Sequence, residues 1–253
     1  MILAVVSQKG GVGKTTTAVN LATALARNGA KTLLIDTDPQ GAVRHALGLR
    51  GTQARAGIAE LLNATRQFGN AVRPTPYARL HVLLAGAVTE SADPGAYHTA
   101  FAQSPAVREM FGLAAAHGYT VVVDTPPGLG GVTRRVLSEC DSVLVPLQAE
   151  PLALQTSSQI LRGIREAARD GVAPTFEGFV LTMYDDSSAM SKRVADTIRA
   201  QLPAPLLLDV VIPRTEATIE AFAAGQPVVV RSPGDAAAKA YTRLAELLSK
   251  KDR

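Results

Sequence analysis

Ile2-Leu3-Ala4-Val5-Val6 runs directly into Ser7-Gln8-Lys9-Gly10-Gly11-Val12-Gly13-Lys14-Thr15-Thr16, and a helical pattern follows over Thr17–Arg27. A short apolar strand, a glycine-rich turn and a helix in that order turn successive backbone N–H groups toward one point, with the positive end of the helix dipole behind them. That point is a cradle for phosphate. Lys14 would reach the β- and γ-phosphates of a nucleotide, and the Thr15 hydroxyl suits Mg²⁺, a hard cation that takes oxygen donors. Gly10, Gly11, Val12, Gly13, Lys14, Thr15 and Thr16 are therefore the expected phosphate-binding residues. At its start the loop departs from the plain pattern, with Gln8 in the slot of the first glycine and Lys9 in the next. A second lysine is redundant for one chain's own phosphates.

Outward from the loop, apolar runs at Thr32–Ile35, Leu80–Leu84, Thr120–Val123, Ser142–Pro146, Phe176–Leu181 and Leu206–Ile212 alternate with amphipathic stretches. This is the α/β rhythm of a mostly parallel, twisted sheet with helices on both faces, the fold class of P-loop NTPases. Runs apolar at successive positions, such as Val121-Val122-Val123, fit strands covered on both sides. In open sheets of this kind ligands bind at the carboxyl edge, and the chemically suggestive residues all follow strands directly. Strand order is not readable. Residues 49–105 hold little signal beyond one apolar run and read as periphery to the site. No linker divides the chain, so residues 1–253 are expected to form a single domain.

Two further segments bring acids to the same edge. Asp36-Thr37-Asp38-Pro39-Gln40-Gly41 places two carboxylates where a γ-phosphate and its Mg²⁺ would sit, able to hold metal-bound water or orient an attacking one. Read alone, the same residues are a turn with a helix cap. Val123-Asp124-Thr125-Pro126-Pro127-Gly128 ends a buried strand on an acid that would act on Mg²⁺, or would cap the next helix.

The Lys9-Gly10-Gly11 form of the loop resembles the deviant Walker A motif of the ParA/MinD family. The Asp36 and Asp124 segments resemble that family's two switch segments, in the same order. Val145–Glu150, Leu181–Asp185 and Val211–Arg214 resemble its later landmarks, so the likeness spans nearly the whole chain. It implies a ParA/Soj-type partitioning ATPase using ATP and Mg²⁺. In it Lys9, Lys14 and Asp38 are catalytic, Lys9 reaching across a homodimer to the partner's nucleotide and Asp38 orienting the hydrolytic water. Thr15, Asp36 and Asp124 serve the metal, and Pro213, Arg214 and Thr215 lie near the adenine. A strand followed by a proline turn would look the same. The likeness further implies non-specific DNA binding by the ATP dimer and a weak ATPase stimulated by a ParB-like centromere-binding partner, since no arginine finger is evident.

The chain departs from its larger relatives in having nothing ahead of the first strand, so an operator-binding domain and self-repression are not expected. In the Soj-like branch a further arginine follows the Pro-Arg pair and is used on DNA. Here the residues are Thr215-Glu216-Ala217-Thr218. Candidate replacements are Lys192, Arg193, Arg199, Arg231, Lys239 and Arg243, which otherwise read as solvated helix faces. Net charge is +4, and residues 190–253 hold 10 basic against 7 acidic groups, so most of the excess lies there.

The one cysteine, Cys140, excludes an internal disulfide, a metal knuckle, and an iron–sulfur cluster built by one chain. That also removes the ATP-driven reductases of this scaffold. A small-molecule synthetase would need a substrate pocket, for which 49–105 offers no acid/base set, and His45, His81, His98 and His117 read as structural. No apolar run approaches the ~18 residues of a membrane span. A MinD-like membrane-associated ATPase is the alternative, with Tyr241–Lys251 as its surface anchor. The expected location is cytoplasmic, on the nucleoid where DNA is bound.

Overall fold

Successive apolar residues in a strand point to opposite sides, and here both sides are filled. Leu3, Val5, Leu34, Val122, Leu144 and Val180 enter one core layer, while Ala4, Leu33, Ile35, Val121, Val123, Val143 and Val145 enter the other. The computed structural model describes residues 1–49, 56–87, 94–150, 153–167 and 173–251. Residues 50–55 and 88–93 of the stretch with little sequence signal lie outside them.

The strands are β1 (Ile2–Val5), β2 (Thr32–Asp36), β3 (Arg73–Pro74), β4 (Leu80–Leu83), β5 (Thr120–Asp124), β6 (Ser142–Gln148), β7 (Thr175–Tyr184) and β8 (Leu207–Pro213). They form one eight-stranded sheet in the order β3-β4-β2-β5-β1-β6-β7-β8. Every neighbouring pair is parallel except the short edge pair β3 and β4. After β5 the chain passes β1 to enter β6, so the direction of strand addition reverses around β1. The carboxyl end of β1 is therefore the switch point, where an open sheet leaves a crevice.

The helices are α1 (Lys14–Arg27), α2 (Ala42–Ala46), α3 (Ile58–Leu62), α4 (Phe68–Ala71), α5 (Pro94–Gln103), α6 (Ala106–Ala116) and α7 (Gly131–Glu139), followed by α8 (Ala153–Glu166), α9 (Ala189–Gln201), α10 (Glu216–Ala223), α11 (Val228–Arg231) and α12 (Ala236–Lys251). Buried residues of α3 to α9 join one core layer, and those of α1, α2 and α10 to α12 join the other. Tyr241, Leu244, Ala245 and Leu248 are buried with Ala18, Leu21 and Leu25 of α1, so the apolar stripe weighed as a surface anchor is spent on the core. No helix among the described residues is long and apolar enough to cross a membrane.

One contact ties the second helix to the tenth. Gly48 and Gly225, each just past a helix end, hold left-handed φ values of +64° and +66° and touch backbone to backbone; a Cβ on Gly48 would lie 2.9 Å from the Gly225 carbonyl oxygen. Left-handed strain of roughly 1–2 kcal/mol and overpacking of roughly 1–3 kcal/mol both act on Gly48→Ala. The midpoint of thermal unfolding should fall by roughly 5–10 °C, and a fall under ~2 °C would show that the two helix ends part freely.

Candidate functional site

The loop after β1 is stitched down on several sides. Val6 N–H donates to the Leu144 carbonyl at 3.0 Å, Gly128 N–H to the Ser7 carbonyl at 2.9 Å, and the Thr182 hydroxyl to the Val12 carbonyl at 2.9 Å. Gly11 and Gly13 take φ of +81° and +82°, a conformation L side chains rarely adopt, which lets consecutive amides face inward. Gly13 precedes α1 without any side-chain cap, and no acidic residue occupies the first turn. The positive end of that helix is left for an external anion.

Lys14, in the first turn of α1, is only 8% exposed and lies close enough to Asp124 to pull its carboxyl down. Thr15 Oγ1 donates to Asp124 Oδ2 at 2.7 Å. Asp36 and Asp124 are opposite one another in the β2–β5 register, both fully buried. Burial, reinforced by the Asp124 charge, pushes the Asp36 carboxyl well above the usual carboxylate range. Burial outweighs Lys14 and Thr15 at Asp124 and lifts it to about 6. Asp36 Oδ2 and Asp124 Oδ1 have no hydrogen-bond partner among the described residues. Two unpartnered carboxylate oxygens beside a threonine hydroxyl are a fit for a hard divalent cation whose remaining ligands are waters and phosphate. No group of three or more His, Cys, Asp or Glu able to hold a metal occurs among the described residues.

The position just before each following helix is a glycine, not one of these acids, although Asp36 still accepts a backbone N–H from Val43 in the first turn of α2. Gly41 precedes α2, while Asp38 Oδ1 accepts from Gln40 N–H at 2.9 Å in a local turn. Gly130 precedes α7, six positions beyond Asp124. Thr37, between the two switch acids, donates through its N–H and its hydroxyl to the Asp124 carbonyl at 3.0 and 2.7 Å, fastening the two acid-bearing segments together.

Lys9 is not gathered into this group. Its side chain is 47% exposed, and its ammonium pairs with Glu150 at 2.5 Å. Pro213 ends β8 beside Tyr184, exposed Arg214 donates its N–H to the Tyr184 carbonyl at 2.8 Å, and Thr215 caps α10 by accepting from Thr218 N–H. The Thr215 hydroxyl also donates to Asp235 at 3.0 Å, so this side chain is committed to structure.

The six basic candidates are not on one face. Lys192, Arg193 and Arg199 sit on α9, against one side of the sheet, and Arg231, Lys239 and Arg243 on α11 and α12, against the other. Arg199 pairs with Asp196 and Arg243 with Glu246. Lys192, Arg193, Arg231 and Lys239 are exposed, and no ion pair is seen for them among the described residues.

Some contributors were invisible in the sequence. Tyr97 comes from the stretch read as peripheral, yet its buried hydroxyl donates to the Thr37 carbonyl at 3.3 Å. Burial, then the charges of Asp36 and Asp38, push its phenol well up. Thr182 and Met183 stand in a recognised landmark with no role attached. The first clasps the loop, and the second takes φ +53° at the strand end with its methyl within 3.5 Å of a Cβ placed on Gly13. Burial and then the Asp141 charge push the Cys140 thiol up to about 12, which disfavours the thiolate.

Known proteins resemble this chain along nearly its whole length. The family model described as AAA domain matches residues 1–175. The chromosome partitioning protein ParA of Caulobacter vibrioides is 38% identical over 256 residues, covering 100% of this chain and 95% of its own. The chromosome-partitioning ATPase Soj of Thermus thermophilus is 37% identical over 252 residues, covering 96% and 93%. Among solved structures, cobyrinic acid a,c-diamide synthase from Mycobacterium smegmatis, with a bound ATP analogue and magnesium, has a TM-score of 0.78 at 27% identity and covers 98% of this chain and 94% of its own. With a phosphate cradle at the switch point of a parallel sheet and relatives aligned along nearly its full length, the chain belongs to the ParA/Soj family of partitioning ATPases.

Proposed function

We propose that this ATPase is a DNA-segregation switch in which ATP joins two copies of the chain, the pair binds DNA without reading bases, and hydrolysis releases it. The observation that carries this reading is the contrast between the two loop lysines. Lys14 is buried at the cradle, where one chain's phosphates need it, while Lys9 is half exposed on the surface, engaged by an ion pair to Glu150 that it would exchange for another chain's phosphates. The continuous sheet supports residues 1–253 acting as one domain.

The reaction transfers the γ-phosphoryl group to water, breaking the bond to the β-phosphate oxygen. Lys14 and the inward N–H groups of Gly10–Thr16 take up the charge that develops there, and Asp38 orients the attacking water. Thr15, Asp36 and Asp124 would hold Mg²⁺, which supplies positive charge against the phosphate oxygens. Pro213, Arg214 and Thr215 flank the base, chiefly through backbone, since the Thr215 hydroxyl is already engaged. Arg134, an arginine close behind the second switch, is tied by its Nε to the Leu129 carbonyl at 2.9 Å. Where an arginine finger is missing, phosphoryl transfer runs ~10³–10⁵ slower, so basal turnover is slow and a ParB-like partner accelerates it.

ATP can switch DNA affinity only by binding one state better than the other. Three or four cations per subunit would make six to eight phosphate contacts in a dimer, so affinity should fall by roughly 10³ or more between 50 and 200 mM salt. Fluorescence anisotropy with a labelled duplex should show this only with ATP. Because the basic groups lie on two faces, the pairs Lys192/Arg193 and Arg231/Lys239, each changed to alanine, tell which face lies on DNA by a smaller salt slope. Equal binding without nucleotide, or no binding at low salt, would count against the switch.

A further inference from the structure

The peptide unit between Thr37 and Asp38 is held at both of its polar ends. Its N–H, on Asp38, donates to Asp36 Oδ1 at 3.1 Å, and its carbonyl oxygen, on Thr37, accepts from the Tyr97 hydroxyl at 3.3 Å. Upstream, Thr37 is already fixed by its two bonds to the Asp124 carbonyl. A peptide unit is a rigid plane, so gripping both ends removes the coupled rotation about the bonds on either side of it. That plane sets the direction of the N–Cα bond that leads to the Asp38 side chain.

Tyr97 is itself unable to swing. It projects from α5, is 6% exposed, and packs its ring on Phe101 with centroids 5.9 Å apart. Its bond is the only side-chain hydrogen bond to the Thr37 carbonyl among the described residues. The phenol is too far into the protein to be a surface ornament, and the ring alone would satisfy the core. The hydroxyl has a separate use.

We propose that Tyr97 is a positioning residue for hydrolysis, acting through the Thr37–Asp38 peptide to aim the Asp38 carboxylate. This rests on the reading of Asp38 as the group that orients water. In Tyr97→Phe the ring and its packing remain while the grip on the plane is lost. Loss of one hydrogen bond that matters in the transition state lowers kcat about three- to tenfold. KM for ATP and the dissociation constant of a fluorescent ATP analogue stay within about twofold, because the cradle is held by other bonds.

A double-mutant cycle on the full chain separates positioning from general support. Asp38→Ala alone should abolish most turnover while nucleotide still binds, and adding Tyr97→Phe to it should change the residual rate by less than about 1.5-fold. A purely structural tyrosine would instead lower both backgrounds by the same factor and weaken nucleotide binding in each, which overturns the inference. Loss of turnover in Asp38→Ala with full turnover in Tyr97→Phe also removes the inference and leaves the reading of Asp38 standing. Normal turnover in Asp38→Ala removes that reading and the inference with it.

Discussion

Lys14→Ala lowers ATP turnover by about 10³-fold or more and weakens nucleotide binding enough that ATP no longer changes DNA affinity. The size of the effect follows from what else lines the edge. Asp36, Asp38 and Asp124 bring three carboxylates within one constellation, and Lys14 is the buried cation beside them. Take it away and a triphosphate meets a face that is negative, with only backbone dipoles and a bound cation to offset it. In a water-poor site each charge counts for more than it does in solvent. The variant remains folded, since nothing in the core layers depends on the ammonium. Phosphate release and titration of a fluorescent nucleotide measure the two losses separately. Turnover above a tenth of the parent value would show that the loop amides suffice and that Lys14 is not the principal charge.

Lys9→Ala should separate what Lys14→Ala removes together. Nucleotide affinity of the single chain stays within about threefold, because in the single chain the ammonium is engaged by Glu150. An exposed pair of this kind contributes roughly 0–1 kcal/mol, so the unfolding midpoint barely moves. Turnover nevertheless falls by about 10²-fold, the cost of one lost charge-stabilising donor, and the ATP-dependent dimer does not form. Light scattering on a gel-filtration column run in ATP, together with steady-state phosphate release, provides both readouts. If dimer and turnover persist unchanged, Lys9 is a surface ion pair and nothing more.

The sheet was legible because helices on both sides force strands to be apolar at consecutive positions, and such runs stand out without any alignment. Thr120–Val123 and Ser142–Pro146 were located within a residue or two of β5 and β6. The helix α1 begins at Lys14, three residues before the pattern at Thr17, because its first turn is polar and faces the site instead of the core. Strand order was not legible: it is set by which helix covers which face, a property of the assembled layers. The acids at positions 36 and 124 stood out in the sequence because each ends an apolar run, and Asp38 follows two residues behind the first. Tyr97 was not, since an aromatic in a short helix has the same local sequence whether its hydroxyl meets water or a switch carbonyl. The two-sided placement of the basic residues was hidden for a related reason, as proximity along the chain carries no record of which side of a sheet a helix covers.

The unpartnered oxygens of Asp36 and Asp124 have a consequence for the form of nucleotide this edge accepts. Facing acids on adjoining strands repel one another, and bare ATP, itself a multiply charged anion, would add to the repulsion. The magnesium chelate arrives with its own counter-charge and relieves it. On the reading that these acids serve the metal, the same triphosphate would be two different molecules to this protein, and the pair of acids would act as a filter on ionic form before any bond is broken.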